Sequence, residues 1–308
     1  MQEGLKKRKW NKTLQRMWKD RYLYLLISPT ILYFLIFRVW PIINMRLAFF
    51  DYKARGPWEF AGLKYFKMIF STSAFASILK NTLILSFMKY VLLFPFFVIF
   101  ALMLTELRRD RCRKYVQVVS YLPHFLSWVV IAGIWMSFLA PSDEGGLNQI
   151  LSIFGLGPVD LLTSKKAIRW ILMLCEGWRS LGWDSIIYFT TIIGIDVSLY
   201  EAAKMDGANK WQIIRHIDLP GIMPTVTMML IMEMGKVMNI GFQKAYLMQN
   251  GLNIAASEII PTYIYKIGLI DAQYSYSAAI SLFNNIINII LLVTVNKIAQ
   301  KTSENSLW

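Results

Sequence analysis

Four side chains in one apolar stretch invite a chemical reading. Glu176, Arg179, Ser180 and Trp183 follow one another at the spacing that puts them on a single face of a helix. Further on, Glu233 and Lys236 sit one helical turn apart, with Val237, Asn239 and Ile240 just beyond. Asn284, Asn285 and Asn288 interrupt a later apolar run. An ionisable group in the middle of a membrane span costs about 2.5–3.5 kcal/mol to insert, so it faces a cavity or a partner. Carboxylates, amides and a guanidinium bond hydroxyls, while an indole face covers the apolar side of a ring. The set therefore suits a polyhydroxylated ligand such as a sugar. Each residue also has a plainer reading. Glu176 with Arg179, and Glu233 with Lys236, are spaced to neutralise each other within one helix. Asparagines in a span serve helix packing. Lys89, in another apolar run, is long enough to snorkel out.

Other chemistry finds little support. There is no G-x-x-x-x-G-K-[ST] phosphate loop, so ATP hydrolysis is not expected of this chain, nor any other enzymatic activity. His124 and His216 are the only histidines, and neither stands in a metal-ligand spacing, so no metal site is expected. His124 is expected at the membrane interface near the start of the third span, and His216 on the surface of a loop helix. Cys112 lies in a basic loop and Cys175 in an apolar span; at different depths they cannot form a disulfide.

Composition defines the elements that must position these residues. Of 308 residues, 56% are hydrophobic and 17% charged, with a mean hydropathy of +0.43. Several apolar runs reach the roughly 20 residues that cross a bilayer. The expected fold is all-α, a polytopic membrane protein with six transmembrane helices near 22–43, 79–104, 115–139, 168–195, 221–242 and 277–298. Residues 1–21 form a basic arm in which Trp10 and Trp18 suit the membrane interface. Its following apolar run is too long for a cleaved signal peptide. Residues 22–298 form the permeating domain, 196–220 a polar loop within it, 243–276 another loop, and 299–308 a polar tail. The net charge of +14 is concentrated in the arm and in the loop holding Arg108, Arg109, Arg111, Arg113 and Lys114. Such clusters beside apolar spans are the positive-inside signal, not a nucleic-acid footprint. They place both termini and the 196–220 loop in the cytosol, and the chain in the plasma membrane.

That loop has its own punctuation. Ser198 with Glu201 predicts a capping box and a helix starting at Leu199. Gly207 is suited to ending it in the left-handed conformation. Asn209 with Gln212 predicts a second short helix, and Pro220 the start of a new element.

The loop resembles the EAA motif of permease subunits in binding-protein-dependent, ATP-driven importers. Glu201-Ala202-Ala203, three residues, Gly207, nine residues, then Ile217, Leu219 and Pro220 match that pattern without departure. Ser28-Pro29, the stretch from Pro123 to Val130, Gly145 to Asn148, Gly194 to Asp196, Asp206 to Ala208, Tyr274 to Tyr276 and Leu307-Trp308 resemble its carbohydrate-importing branch in Gram-positive bacteria. The resemblance implies a second, homologous permease subunit of different sequence, two cytosolic ATPase subunits that bind ATP and magnesium, and an extracellular sugar-binding lipoprotein. It implies that Glu201, Ala202, Ala203, Asp206, Gly207, Ile217, Leu219 and Pro220 couple the permease to an ATPase. Aligned from Leu219-Pro220 with maltose-type relatives, the sugar positions fall on Glu176, Arg179, Ser180, Trp183, Glu233, Lys236, Val237 and Ile240. The expected cargo is an oligosaccharide. Arg179, Lys236 and the basic first outer loop suggest an acidic one containing uronates, and Glu176 and Glu233 argue against it. Alternatives are a non-sugar solute carried by the same class of importer, or a receptor subunit without transport.

Overall fold

The computed structural model describes residues 17–302, so most of the basic arm and the end of the tail lie outside the described residues. A backbone in hydrocarbon has no water to bond and must satisfy itself internally, which selects helices. In chain order the chain begins with α1 (Arg21–Phe49), whose apolar window is not buried against the rest of the chain. A short hairpin follows, β1 (Phe50–Asp51) and β2 (Glu59–Phe60), antiparallel with Phe50 opposite Phe60. Next come α2 (Lys64–Ser71), α3 (Ser73–Thr105), α4 (Asp110–Phe125), α5 (Trp128–Phe138) and α6 (Gly146–Ile153). Then α7 (Ala167–Ile193), α8 (Val197–Met205), α9 (Lys210–Met234), α10 (Phe242–Met248), α11 (Ile254–Ser257), α12 (Ile260–Tyr265) and α13 (Tyr274–Thr302) complete the chain.

Among the described residues, α1, α3, α9 and α13 are each long and apolar enough to cross a membrane, and two bent pairs bring the number to six. The pair α4 and α5, bent by 102°, makes up the third span. That span was expected as one helix over 115–139. Pro123 narrows the chain to a 3-10 turn at Leu122–Phe125, and Ser127 then caps α5 by accepting from the Val130 amide (3.3 Å). The pair α7 and α8 is bent by 67°. α7 has 27 residues, about 40 Å at 1.5 Å each, but Arg169, Glu176, Arg179 and Asp184 dilute its apolar character.

Three expectations about boundaries need correction. The fifth span was expected to run through residue 242. It stops at Met234, and the chain is irregular over 235–241, with Gly241 at φ +59°. A Cβ on Gly241 would lie 2.4 Å from Lys244 Cε, so only glycine lets that lysine lie back along the break. The segment 243–276, expected as a loop, folds back into the bundle as α10, α11 and α12. Polar side chains make this possible by satisfying buried backbone groups. Asn253 Nδ2 donates to the carbonyls of Leu162 (2.8 Å) and Met248 (3.0 Å), and Arg169 bonds Asn81 Oδ1 (2.7 Å) and the Ala256 carbonyl (3.2 Å). Pro220 stands, as expected, in the first turn of an α-helical segment, Leu219–Met234, which the π turn Ile214–Asp218 joins to Lys210–Ile213 within α9. Residues 299–302, expected in the tail, extend the last helix.

Candidate functional site

α3, α7 and the broken end of α9 meet in the middle of the bundle, and charged residues cluster there. α7 presents Glu176 and Arg179, α9 presents Glu233, the break presents Lys236, and α3 presents Lys89 at the start of a π turn, Lys89–Leu93. Together with Trp128, Asn239, Ile240 and Phe242 these line a cavity of about 530 Å³. Asn288 and Asn284 brace the break. Asn288 Oδ1 accepts from the Met238 amide (3.0 Å), and Asn284 Nδ2 donates to Asn239 Oδ1 (2.5 Å). The packing reading of those asparagines therefore holds for these two.

The ion pairs run mostly between elements. Glu176 accepts from Lys244 of α10 at 2.9 Å, where Lys244 is fully buried. No Glu176–Arg179 bridge forms. Arg179 instead lies 4.8 Å over the Trp128 ring and donates to the His124 carbonyl (3.1 Å). Glu233 accepts from Lys89 at 2.7 Å and from Lys236 at 3.3 Å, so its expected partner is shared with a second. Lys89 turns inward and does not snorkel. His124 is not at a span's start but at the α4–α5 kink, with its ring stacked on Trp183 (centroids 4.3 Å, planes within 7°).

Six of the eight residues expected to touch cargo line this cavity or the next: Glu176, Arg179, Trp183, Glu233, Lys236 and Ile240. The other two do not. Ser180 is buried and bonds Asp184. Val237 packs with Phe75, Ile78 and Ile280, and its carbonyl takes the Ser86 hydroxyl. Sequence reasoning missed Lys244, Asp184, Trp128 and Tyr90. Asp184, four residues past Ser180 on the charged face of α7, was signalled by helical periodicity. Lys244 had no signal, because its segment reads as a loop.

A second cavity, of about 450 Å³, shares Lys89, Tyr90 and Glu233 with the first and extends toward the α8 end, lined by Trp183, Asp184, Phe94 and Met229. A third, of about 660 Å³, shares Phe94 with the second and reaches Glu106, Trp211 and Leu219. The walls thus change from charged to mixed to apolar along one face of the bundle.

The 196–220 loop closes that end. α8 begins one residue before Ser198 because Asp196, not Ser198, is its cap, accepting from the Ser198 amide (2.9 Å). The helix ends as expected at Gly207, φ +75°, with Ala208 N–H on Ala203 C=O (2.9 Å) and Gly207 N–H on Lys204 C=O (3.1 Å). Asn209 and Gln212 form the expected capping box. Two side-chain bonds seat the loop on the bundle: Tyr200 to Asp218 (2.5 Å) and Lys210 to Glu106. Glu201, Ala202, Asp206, Gly207 and Pro220 are exposed, while Ala203, Ile217 and Leu219 are half-buried. Val197, Leu199 and Met205 present bare apolar surface, Met205 at 89% exposure. At the opposite end, Asp51 of the hairpin takes the Tyr65 hydroxyl and the Lys64 ammonium, which hold its carboxyl below the ordinary range.

Comparison with known proteins agrees with this architecture. Residues 69–304 match the family described as binding-protein-dependent transport system inner membrane component. The polygalacturonan/rhamnogalacturonan transport system permease protein YteP of Bacillus subtilis is 36% identical over 98% of this chain and 95% of that protein. Protein LplB of the same organism is 35% identical over 97% of this chain and 94% of its own length. A chain in the crystal structure of a bacterial ABC transporter that imports the acidic polysaccharide alginate superposes with a TM-score of 0.89. It shares 34% identity and covers 95% of this chain and 99% of its own. A family match over most of the chain, joined to up to six helical spans and a charged cavity inside the bundle, leaves one conclusion: the chain belongs to the family of multi-pass inner-membrane components of binding-protein-dependent transport systems.

Proposed function

We propose that this chain is the permease subunit of an ATP-driven importer of acidic oligosaccharides, working by alternating access. One observation carries the reading of the cargo. The carboxylates that argued against an acidic cargo are already paired, Glu176 with Lys244 and Glu233 with Lys89. Four cations, Lys89, Lys236, Lys244 and Arg179, stand against those two carboxylates: Lys236 only shares Glu233 and keeps a 65% exposed side chain, and Arg179 bonds no carboxylate, so the region carries surplus positive charge. Trp128, under Arg179, adds an aromatic wall. Relatives named for polygalacturonan and rhamnogalacturonan, and for alginate, support a uronate-bearing cargo.

In this reading α8 and both termini face the cytosol, in line with the lysine and arginine bias. The cargo arrives from an extracellular binding protein; a solved alginate transporter complex includes an alginate pentasaccharide-bound periplasmic protein. The other half of the cavity comes from a second, homologous permease subunit. Two ATPase subunits bind ATP and magnesium, and α8 with its exposed apolar residues docks in one of them. Glu201, Ala202, Ala203, Asp206 and Gly207 form the docked surface, and Ile217, Leu219 and Pro220 carry the motion into α9.

The experiment is uptake into proteoliposomes by the whole transporter, comparing a uronate oligosaccharide with its carboxyl-reduced analogue. At least a tenfold preference for the charged sugar is expected. Arg179→Gln with Lys236→Gln should reduce that preference by about as much. Equal uptake of both sugars by the wild type would overturn the acidic cargo.

A further inference from the structure

Lys89 and Glu233 are each in the wall of two cavities, the charged one and the one beyond it toward α8. Their bridge (2.7 Å) therefore stands between those spaces. Resting on the reading of an acidic cargo, we infer that Lys89 is a carboxylate-binding subsite between the cavities. Glu233 occupies it in the absence of cargo, and a uronate carboxylate opens the passage by replacing Glu233 on the Lys89 ammonium.

Three features of the geometry make the exchange feasible. Glu233 holds two cations with different oxygens, Lys89 through Oε2 and Lys236 through Oε1 (3.3 Å). When Lys89 passes to the cargo, Glu233 keeps Lys236, so no buried charge is left bare. A neutral sugar offers no anion for Lys89, and parting the pair then leaves a partly buried cation uncompensated, which is strongly unfavourable. Next, both side chains sit where the helices are irregular. Lys89 opens the π turn of α3, and Glu233 lies in the last turn of α9 before the break at 235–241. The Tyr90 hydroxyl holds the Glu233 carbonyl (2.9 Å), which fixes the main chain while the carboxylate swings. Finally, the second cavity holds Asp184 and no lysine or arginine other than Lys89. A carboxylate that Lys89 releases into that space meets no second cation that would hold it.

The test uses the complete transporter in proteoliposomes with tetragalacturonate and its carboxyl-reduced analogue as probes. Lys89→Met should reduce tetragalacturonate uptake at least tenfold more than uptake of the reduced analogue. Glu233→Gln, which removes the occupant but keeps the cation, should raise uptake of the analogue relative to tetragalacturonate severalfold. The exchanged pair Lys89→Glu with Glu233→Lys restores an ion pair but moves the cation off α3, and should not restore tetragalacturonate uptake. Co-purification with the partner permease and ATPases reports assembly of each variant. If Lys89→Met and Glu233→Gln depress both sugars equally, or change neither, the subsite is refuted although the cargo is acidic. If wild type itself does not discriminate, the cargo reading fails first, and the wild-type arm alone reveals it.

Discussion

Among individual residues, the buried Lys244–Glu176 pair matters most for the integrity of the site. Removing one member of a buried pair strands the other, at a cost of about 3–5 kcal/mol, whereas replacing both by neutral groups costs far less. Lys244→Met is expected to lower the melting temperature of the detergent-purified complex and its yield. Lys244→Met with Glu176→Gln should recover most of the loss. A single variant that melts like wild type would show the pair to be dispensable. Glu176 was legible in the sequence as an intramembrane charge. Its partner was not, since Lys244 lies 68 positions away in a segment whose polarity suggests exposure. The same blindness made Glu176–Arg179 look like a pair. Spacing along a helix says which groups are near, but not which cation from another element is nearer.

At the level of elements, the α8 loop and the break in α9 are held in different ways. The loop is built from local signals: a cap, a left-handed glycine and a capping box, each satisfied within a few residues. Its order could be read directly, apart from Asp196 taking the cap from Ser198. Gly207→Pro is therefore expected to destroy the turn, because proline requires φ near −65° and the position has +75°. The expected result is an inserted, assembled complex whose ATPase activity no longer responds to loaded binding protein; a wild-type response would argue against docking through α8. Asp196→Ala should cost about 1 kcal/mol of local helix stability, read as faster amide exchange in α8 with little change elsewhere. The break at 235–241 has a local signal in Gly235 and Gly241, but it also needs a partner from elsewhere: Asn288 of α13 accepts from the freed Met238 amide, and Asn284 bonds the Asn239 side chain. Asn288→Leu should leave the Met238 amide unsatisfied, at about 1–3 kcal/mol, with a loss of uptake larger than the loss of assembled protein.

For the whole molecule, the three cavities grade from charged to apolar along one face. The apolar surface of α1 is left bare by the rest of the described chain. The hairpin at the far end gives the one pH argument. Asp51 has a lowered carboxyl pKa because the Tyr65 hydroxyl and then Lys64 bond its charged form. Its contribution is full above the ordinary 3.8 and fades only as pH falls through the lower folded value. The difference in melting temperature between wild type and Asp51→Asn should thus stay constant from about pH 8 to pH 5, and shrink only in stronger acid. A difference that vanished by about pH 5 would contradict the assigned contact.

The sequence by itself determined the all-α membrane class, the number of spans, the place and shape of the α8 loop, and the neighbourhood of the charged site. Hydropathy, helical periodicity and capping chemistry act within a turn or two of the chain, so they survive as pattern. Only the tertiary structure decided which charges pair, that the third and fifth spans are broken, and that residues 243–276 are interior. Those outcomes depend on groups from different helices meeting in a low-dielectric space. There an unpaired charge or backbone group is so costly that distant partners override local preference. The Lys89–Glu233 bridge is the clearest case: neither residue indicates the other in sequence, and together they line both the first and the second cavity.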